Sequence, residues 1–132
     1  MSDAATALLT LYGIPNCDQV RKARNWLAGH GIEPVFHDFK KAGLSRALVS
    51  DWLKTLDWTV LVNRKGTTWR VLSEERRALV IDTEQATLLM LEAPSIVKRP
   101  VLQHGQRILV GFDSDLYQSF FHTQTAERGP RT

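Results

Sequence analysis

The chain has 132 residues and a formal net charge of +3, with 43% hydrophobic and 23% charged residues. This length suits one domain that buries a core without the support of disulfides or metal ions. No apolar run is long enough to span a bilayer. Acidic residues are interspersed with the basic ones, so we predict neither a membrane nor a nucleic-acid partner. The single cysteine excludes an intramolecular disulfide, and a free thiol favours a reducing, cytoplasmic compartment.

The first part of the chain predicts a β-α-β unit. An apolar run at residues 8–14 ends at Pro15 and Asn16, which are typical of strand ends. From Cys17 onward, apolar residues recur at helical spacing as far as a pair of glycines. Residues 33–39 then alternate as a second strand. A crossover of this length predicts a parallel, right-handed pair of strands.

The middle of the chain predicts helices. Ser45 is a suitable N-cap for the first of them. Asp82, with Gln85 three residues later, resembles a capping box for a helix that ends near Leu91. We expect these helices to form an inserted lobe at about residues 44–92.

The last part predicts a β-hairpin with a tight turn at His104-Gly105, followed by a terminal helix. Pro100 predicts a strand edge or a cis peptide bond. The complete order predicts an α/β fold in which helices cover a sheet, in the thioredoxin order with a helical insert. We assign one domain to residues 1–121 and a polar, disordered tail to residues 122–132.

Cys17 precedes the predicted first helix, where free N–H groups and the positive end of the helix dipole favour a thiolate. Such positions lower a cysteine pKa below about 8.5. Arg21, one turn along, could approach the sulfur or an anion beside it, whereas Asp18 opposes a thiolate. The alternative is a packed, inert cysteine. Because CDQV has no second cysteine at the CxxC position, an outside thiol must regenerate Cys17.

Two further arginines are candidate anion-binding residues. Arg64 lies in VLVNRKGTTW, where a glycine permits a turn, and Arg99 precedes Pro100, which restricts its backbone. Guanidinium groups suit oxyanions and carboxylates. Cys17, Arg64 and Arg99 could therefore form a thiolate surrounded by anion donors, or each arginine could be a solvated surface charge. The four histidines have no metal-ligand spacing, so we predict no metal and no bound cofactor.

Five segments resemble the ArsC-like family, which includes glutaredoxin-coupled arsenate reductases and Spx regulators: LYGIPNCDQVRKARNWL, GIEPVFHDFKKAGL, LVNRKGTTWR, LMLEAPSIVKRPVL and ILVGF. Within the family, the sequence is most similar to the YffB-type proteins. The resemblance implies a thioredoxin-like fold with an inserted helical lobe. It also implies Cys17 as the nucleophile, with Arg64 and Arg99 holding an anion. Arg21 matches a basic position after the cysteine.

Two departures from the family bear on the substrate. Arsenate reductases of this kind carry a histidine where this chain has Gly13 and an arginine where it has Gly111. The resemblance therefore implies a monomeric oxidoreductase that uses glutathione, with glutaredoxin as a further partner. It leaves open whether the substrate is arsenate or a disulfide or glutathione adduct. The alternative is a non-catalytic, Spx-like regulator that binds RNA polymerase, although CDQV lacks the CxxC switch of many Spx proteins.

Overall fold

The computed structural model describes the backbone of residues 8–128 and the side chains of residues 8–122. Within this part, a four-stranded sheet has the order β2-β1-β3-β4. The strands are β1 (Leu9–Gly13), β2 (Val35–Asp38), β3 (Val101–His104) and β4 (Arg107–Val110). β1 pairs in parallel with β2 and antiparallel with β3, which pairs antiparallel with β4. The predicted β-α-β unit and hairpin are confirmed.

Eight α-helices and one 3₁₀ helix accompany the sheet in the described residues. The α-helices are α1 (Asp18–Gly29), α2 (Phe39–Ala42), α3 (Arg46–Leu53), α4 (Trp58–Leu61), α5 (Thr67–Arg70), α6 (Glu74–Leu79), α7 (Thr83–Glu92) and α8 (Ser114–Arg128). The 3₁₀ helix is Pro94–Ile96. Helices α3 to α7 form the lobe inserted between β2 and β3. No helix in residues 8–128 combines the length and apolar character needed to cross a membrane.

Helix α1 follows β1 directly and has Cys17 as its N-cap residue, with an extended backbone (φ −113°, ψ 130°). Three apolar residues at helical spacing are fully buried: Val20, Ala23 and Leu27. They form the face of the helix that packs on the sheet. Beyond the helix end, Gly31 has a φ of 71°, which a residue with a side chain rarely adopts.

The sheet separates two hydrophobic clusters, because successive strand residues face opposite sides. Leu11 and Leu102 are paired across β1 and β3 and belong to the cluster formed with α1 and α8. The next pair, Tyr12 and Val101, contacts the cluster of the inserted lobe. Helices therefore cover both faces of the sheet, and the end of β1 that leads to Cys17 lies between these two layers.

A buried polar network joins the lobe to the sheet. Trp52 Nε1 in α3 donates to Gln103 Oε1 in β3 at 3.0 Å. Gln103 Nε2 donates in turn to Asp51 Oδ2 at 3.0 Å and to the Gly105 carbonyl at 3.1 Å. The Gln103 amide thus has partners for both of its polar atoms, as a buried side chain requires.

A second connection joins the lobe to the chain just before β3. Val62 forms an isolated antiparallel bridge with Val97. This bridge brings the segment that contains Arg64 alongside the segment that leads to Arg99. Because the two segments are far apart in the sequence, their contact could not be predicted from it.

Some boundaries differ from the predictions. The second strand was predicted to end at residue 39 but ends at Asp38. The Asp38 side chain accepts the Lys40 N–H at 2.8 Å and caps α2, a helix that was not predicted from the sequence. The terminal helix continues to Arg128, so residues 122–128 of the predicted tail are helical. Proline and glycine are absent from this helix and follow only at positions 129 and 130. Residues 129–132 of that tail lie outside the described residues.

Candidate active site

Cys17 is a free, partly exposed thiol at the junction of β1 and α1. This position confirms that the cysteine precedes a helix. The N–H groups of the first helical turn have no partners within the helix, and the positive end of the helix dipole lies at the same place. A negative charge on the sulfur is therefore favoured by the local backbone.

Partial burial raises the pKa of the Cys17 thiol, but four favourable interactions outweigh burial and lower the pKa below its ordinary value. In order of size they are the Val20 N–H, a hydrogen bond from the Arg99 side chain, the Gln19 N–H and the positive charge of Arg99. The Cys17 side chain makes no standard capping hydrogen bond to the helix. The N–H groups of Val20 and Gln19 therefore favour the thiolate as nearby dipoles and not through a capping hydrogen bond.

Arg99 is oriented by the backbone of the 3₁₀ helix. Its Nη1 donates to the Ser95 carbonyl at 2.7 Å. The peptide bond between Arg99 and Pro100 is cis, which is one of the two predicted alternatives. Arg99 Nε is buried without a hydrogen-bond partner in the described part of the chain. The guanidinium that lowers the Cys17 pKa therefore keeps a buried donor without a partner among the described residues, the kind of group that a bound anion satisfies.

Ser95 itself is held from the inserted lobe. Its Oγ lies 2.9 Å from Thr68 Oγ1, in α5. Neither Ser95 nor Thr68 was predicted from the sequence to be part of the site. Both lie within the segments that carried the family resemblance, NRKGTTWR and PSIVKRP, and their membership in those segments was the available signal.

The structure does not bring the other two predicted arginines to the sulfur. Arg21 is exposed and forms an ion pair with Asp18, so each neutralises the other near the start of α1. Arg64 is also exposed, and its guanidinium carbon lies 5.8 Å from the centre of the Trp58 ring. Of the three predicted arginines, Arg99 is the one that lowers the Cys17 pKa.

A groove lies between α2 and the 3₁₀ helix, next to Ile14 at the end of β1. It has a volume of about 310 Å³ and is lined by Ile14, Phe39, Lys40, Gly43, Pro94 and Ser95. Ser95 links the groove to Arg99, and Ile14 leads from β1 toward Cys17. The lining is largely apolar with one cationic side chain, which suits an organic substituent better than a bare oxyanion.

The two glycines that depart from the family pattern are held for different reasons. Gly13 is buried, and a Cβ added to it would lie 2.7 Å from Val20 Cγ2. Gly111 has open space around the position of a Cβ but a φ of 85°. A side chain is thus disfavoured at Gly13 by lack of space and at Gly111 by the backbone conformation.

In the described residues, no group of three or more histidine, cysteine, aspartate or glutamate side chains is arranged to hold a metal ion.

The ArsC family model matches residues 12–120 of the chain. The chain belongs to the ArsC family. An uncharacterized relative from Haemophilus influenzae is 39% identical over 114 residues, which cover 86% of this chain and 99% of that protein. The global transcriptional regulator Spx of Streptococcus mutans is 28% identical over 120 residues, which cover 86% of this chain and 82% of Spx.

Two solved structures of ArsC-like proteins are similar throughout. The YFFB (PA3664) protein is 43% identical, with a TM-score of 0.80 and coverage of 84% of this chain and 96% of that one. An arsenate reductase (ArsC) related protein from Brucella melitensis is 46% identical, with a TM-score of 0.70 and coverage of 88% and 96%. These similarities confirm the resemblance to the ArsC family and its YffB-type members, and the thioredoxin-like fold with an inserted helical lobe.

Proposed function

We propose that this member of the ArsC family is an oxidoreductase that reduces disulfides or glutathione adducts through Cys17, with glutathione as the reductant. The observation that carries the proposal is the partly exposed Cys17 thiol, whose pKa is lowered by Arg99 and by two backbone N–H groups despite partial burial. A lowered pKa increases the fraction of reactive thiolate at neutral pH. Similarity to a protein named as arsenate reductase related supports the same class of chemistry.

The reaction would proceed by two thiol–disulfide exchanges. The Cys17 thiolate attacks the glutathionyl sulfur of a mixed disulfide RS–SG, so that a Cys17–SG bond forms, the RS–SG bond breaks and RS⁻ leaves. RS⁻ takes a proton from water. A glutathione thiolate then attacks the glutathionyl sulfur of the Cys17 adduct, releasing oxidised glutathione and restoring the Cys17 thiolate. One glutathione is thereby oxidised for each RS–SG reduced, and the other half of the released disulfide is the glutathionyl group of the substrate, which was already part of a disulfide.

A disulfide suits this site better than arsenate. Expelling an oxygen from arsenate requires a proton on the leaving group, whereas a disulfide releases a thiolate directly. Among the described residues, the groups that stabilise the Cys17 thiolate are Arg99 and the N–H groups of Gln19 and Val20. Neither a guanidinium nor a backbone amide gives up a proton at neutral pH. Disulfide exchange therefore needs no group beyond those that stabilise the thiolate, whereas arsenate would also need a proton donor, such as Lys40 in the groove.

The remaining predicted residues fit roles in substrate binding. Glutathione carries two carboxylates, and Arg99 would hold negative charge nearest to the sulfur. Arg64 is exposed and would meet a carboxylate at the outer edge of the site, whereas Arg21 is already paired with Asp18 and would contribute less. The groove beside α2, with Lys40 in its lining, would accommodate the organic group attached to the substrate sulfur.

We further propose that the protein acts as a monomer in the cytoplasm, with glutaredoxin as an additional reductant. Cys17 and Arg99 come from one chain, so the site does not require a second subunit. A free cysteine that works through external thiols suits a reducing compartment.

The proposal is tested by turnover. In an assay coupled to NADPH and glutathione reductase, the mixed disulfide of 2-mercaptoethanol and glutathione should be reduced by the wild-type protein. Cys17→Ser should lower the rate by at least roughly a hundredfold, to the uncatalysed background, because it removes the nucleophile. Arsenate, assayed in parallel, should be a much poorer substrate. Equal rates with the wild-type protein and Cys17→Ser, for every substrate, would rule out the enzyme.

A regulatory function is a second candidate, because the chain is 28% identical to the Streptococcus mutans Spx regulator over most of its length. The chain has no CxxC motif, which argues against a disulfide switch of its own. Affinity purification from a lysate distinguishes the two functions. Retention of RNA polymerase subunits by both the wild-type protein and Cys17→Ser, without turnover, would favour the regulator.

A further inference from the structure

Gly13 and Val20 form a contact that leaves no room for a side chain at position 13. Gly13 ends β1, and Val20 lies in the first turn of α1 and is fully buried. A Cβ on Gly13 would lie 2.7 Å from Val20 Cγ2 and 3.4 Å from Val20 Cγ1. Gly13 does not have a positive φ, so its backbone conformation is open to any residue. The reason for glycine at this position is therefore the close approach of the helix.

The same Val20 contributes the largest favourable interaction with the Cys17 thiolate, through its backbone N–H. Its side chain and its N–H belong to one rigid unit. Valine is branched at Cβ and is largely restricted to one χ1 rotamer in a helix. The methyl groups cannot easily rotate away from a new atom on β1, so the first turn of the helix would have to move. Movement of that turn would also displace the N–H from the sulfur.

We propose that Gly13 is a positioning residue for the Cys17 thiolate: the absence of a side chain at position 13 lets the first turn of α1 lie close to β1 and so keeps the Val20 N–H at the sulfur. The inference rests on the proposed function in that it takes Cys17 to be the reacting group. It adds that the geometry at the end of β1, and not the helix alone, determines how reactive the thiol is.

The test is a double-mutant cycle with Gly13→Ala, Val20→Ala and the combination of both. The rate of Cys17 alkylation by iodoacetamide is measured against pH, which reports the fraction of thiolate without requiring turnover. Gly13→Ala should move the midpoint of the profile to higher pH and slow alkylation at pH 7 by roughly threefold to tenfold, since each unit of pKa changes the thiolate fraction up to tenfold. Val20→Ala keeps the N–H and should leave the midpoint nearly unchanged. The double variant should restore the wild-type midpoint, because the clash is gone.

A core truncation in the lobe provides the matched control. Val49→Ala removes buried methyl groups from α3, in the cluster of the inserted lobe, which does not include the buried residues of α1. It should lower the melting temperature without moving the alkylation midpoint. If Gly13 had a merely structural role, Gly13→Ala would likewise lower the melting temperature and keep the wild-type midpoint. That result would overturn the proposal.

If Gly13→Ala does not fold, Gly13→Ser is tested in the Val20→Ala background, where it adds one more atom between β1 and α1 than Gly13→Ala/Val20→Ala does. A higher midpoint in Gly13→Ser/Val20→Ala than in Gly13→Ala/Val20→Ala supports the proposal, and equal midpoints contradict it. The outcomes also separate this inference from the proposed function. A wild-type midpoint near that of free cysteine would remove both. If the double variant restores the midpoint but the wild-type protein shows no turnover, Gly13 keeps its positioning role and the reductase proposal fails. If Gly13→Ala leaves the midpoint unchanged and turnover is normal, the reductase proposal stands and the positioning role fails.

Discussion

Arg99 and Arg64 lie in neighbouring segments, yet the structure holds them very differently. The bridge between Val62 and Val97 brings the two segments together. Arg99 is partly buried, bonded to the Ser95 carbonyl at 2.7 Å, and interacts with Cys17. Arg64 is exposed and lies over the Trp58 ring.

This contrast separates a preorganised group from one that requires a ligand. Arg99 stabilises the thiolate in the free protein, because its guanidinium is already in place. Arg64 can act on charge at the site only after a substrate gives it a partner. Removing Arg99 should therefore change the thiol itself, whereas removing Arg64 should change substrate binding.

The largest effect is expected from Arg99→Ala. Loss of a charge-assisted hydrogen bond should raise the Cys17 pKa and slow alkylation at pH 7 by about tenfold. Turnover with the mixed disulfide should fall at least as much, because the same guanidinium is lost from the transition state. Arg99→Lys, which keeps the charge but not the fork of donors, should be intermediate. Wild-type alkylation by Arg99→Ala would show that this side chain does not stabilise the thiolate.

A smaller effect is expected from Arg64→Ala. Alkylation by the uncharged reagent should be unchanged, whereas the KM for a glutathione mixed disulfide should rise about twofold to fivefold, as expected for an exposed ion pair. Arg21→Gln is the matched control, since Arg21 is exposed and already paired with Asp18. It should change both quantities less than Arg64→Ala. A shifted alkylation profile in Arg64→Ala would mean that Arg64, like Arg99, already stabilises the thiolate in the free protein.

The sequence was sufficient to predict the order of elements and the place of the thiol. The apolar run before Pro15, the helical spacing after Cys17 and the hairpin around Gly105 are local signals, and each matches an observed element. Helix α2 was missed because four residues carry no periodicity, and its cap, Asp38, lay at the end of a strand-like pattern.

The arrangement of the arginines depended on tertiary contacts. Proline after Arg99 indicated a fixed backbone, and the structure agrees. The glycine turn near Arg64 gave an equally good local signal, yet that side chain points to Trp58. Arg21 lies at the helical spacing expected for a partner of the sulfur, but Asp18 is nearer and of opposite charge. Local pattern cannot rank such competing partners, and the contact between Gly13 and Val20 likewise appears only when β1 and α1 are packed.

The most direct test of the thiolate site is the pH dependence of Cys17 alkylation in the wild-type protein. Because the folded structure lowers the Cys17 pKa, the rate should reach its half-maximum at a lower pH than that of a free cysteine measured in the same buffer. At pH 7 the thiolate fraction should accordingly exceed that of free cysteine. A midpoint at or above the free-cysteine value, with the protein folded throughout, would contradict stabilisation of the thiolate by Arg99 and the first turn of α1.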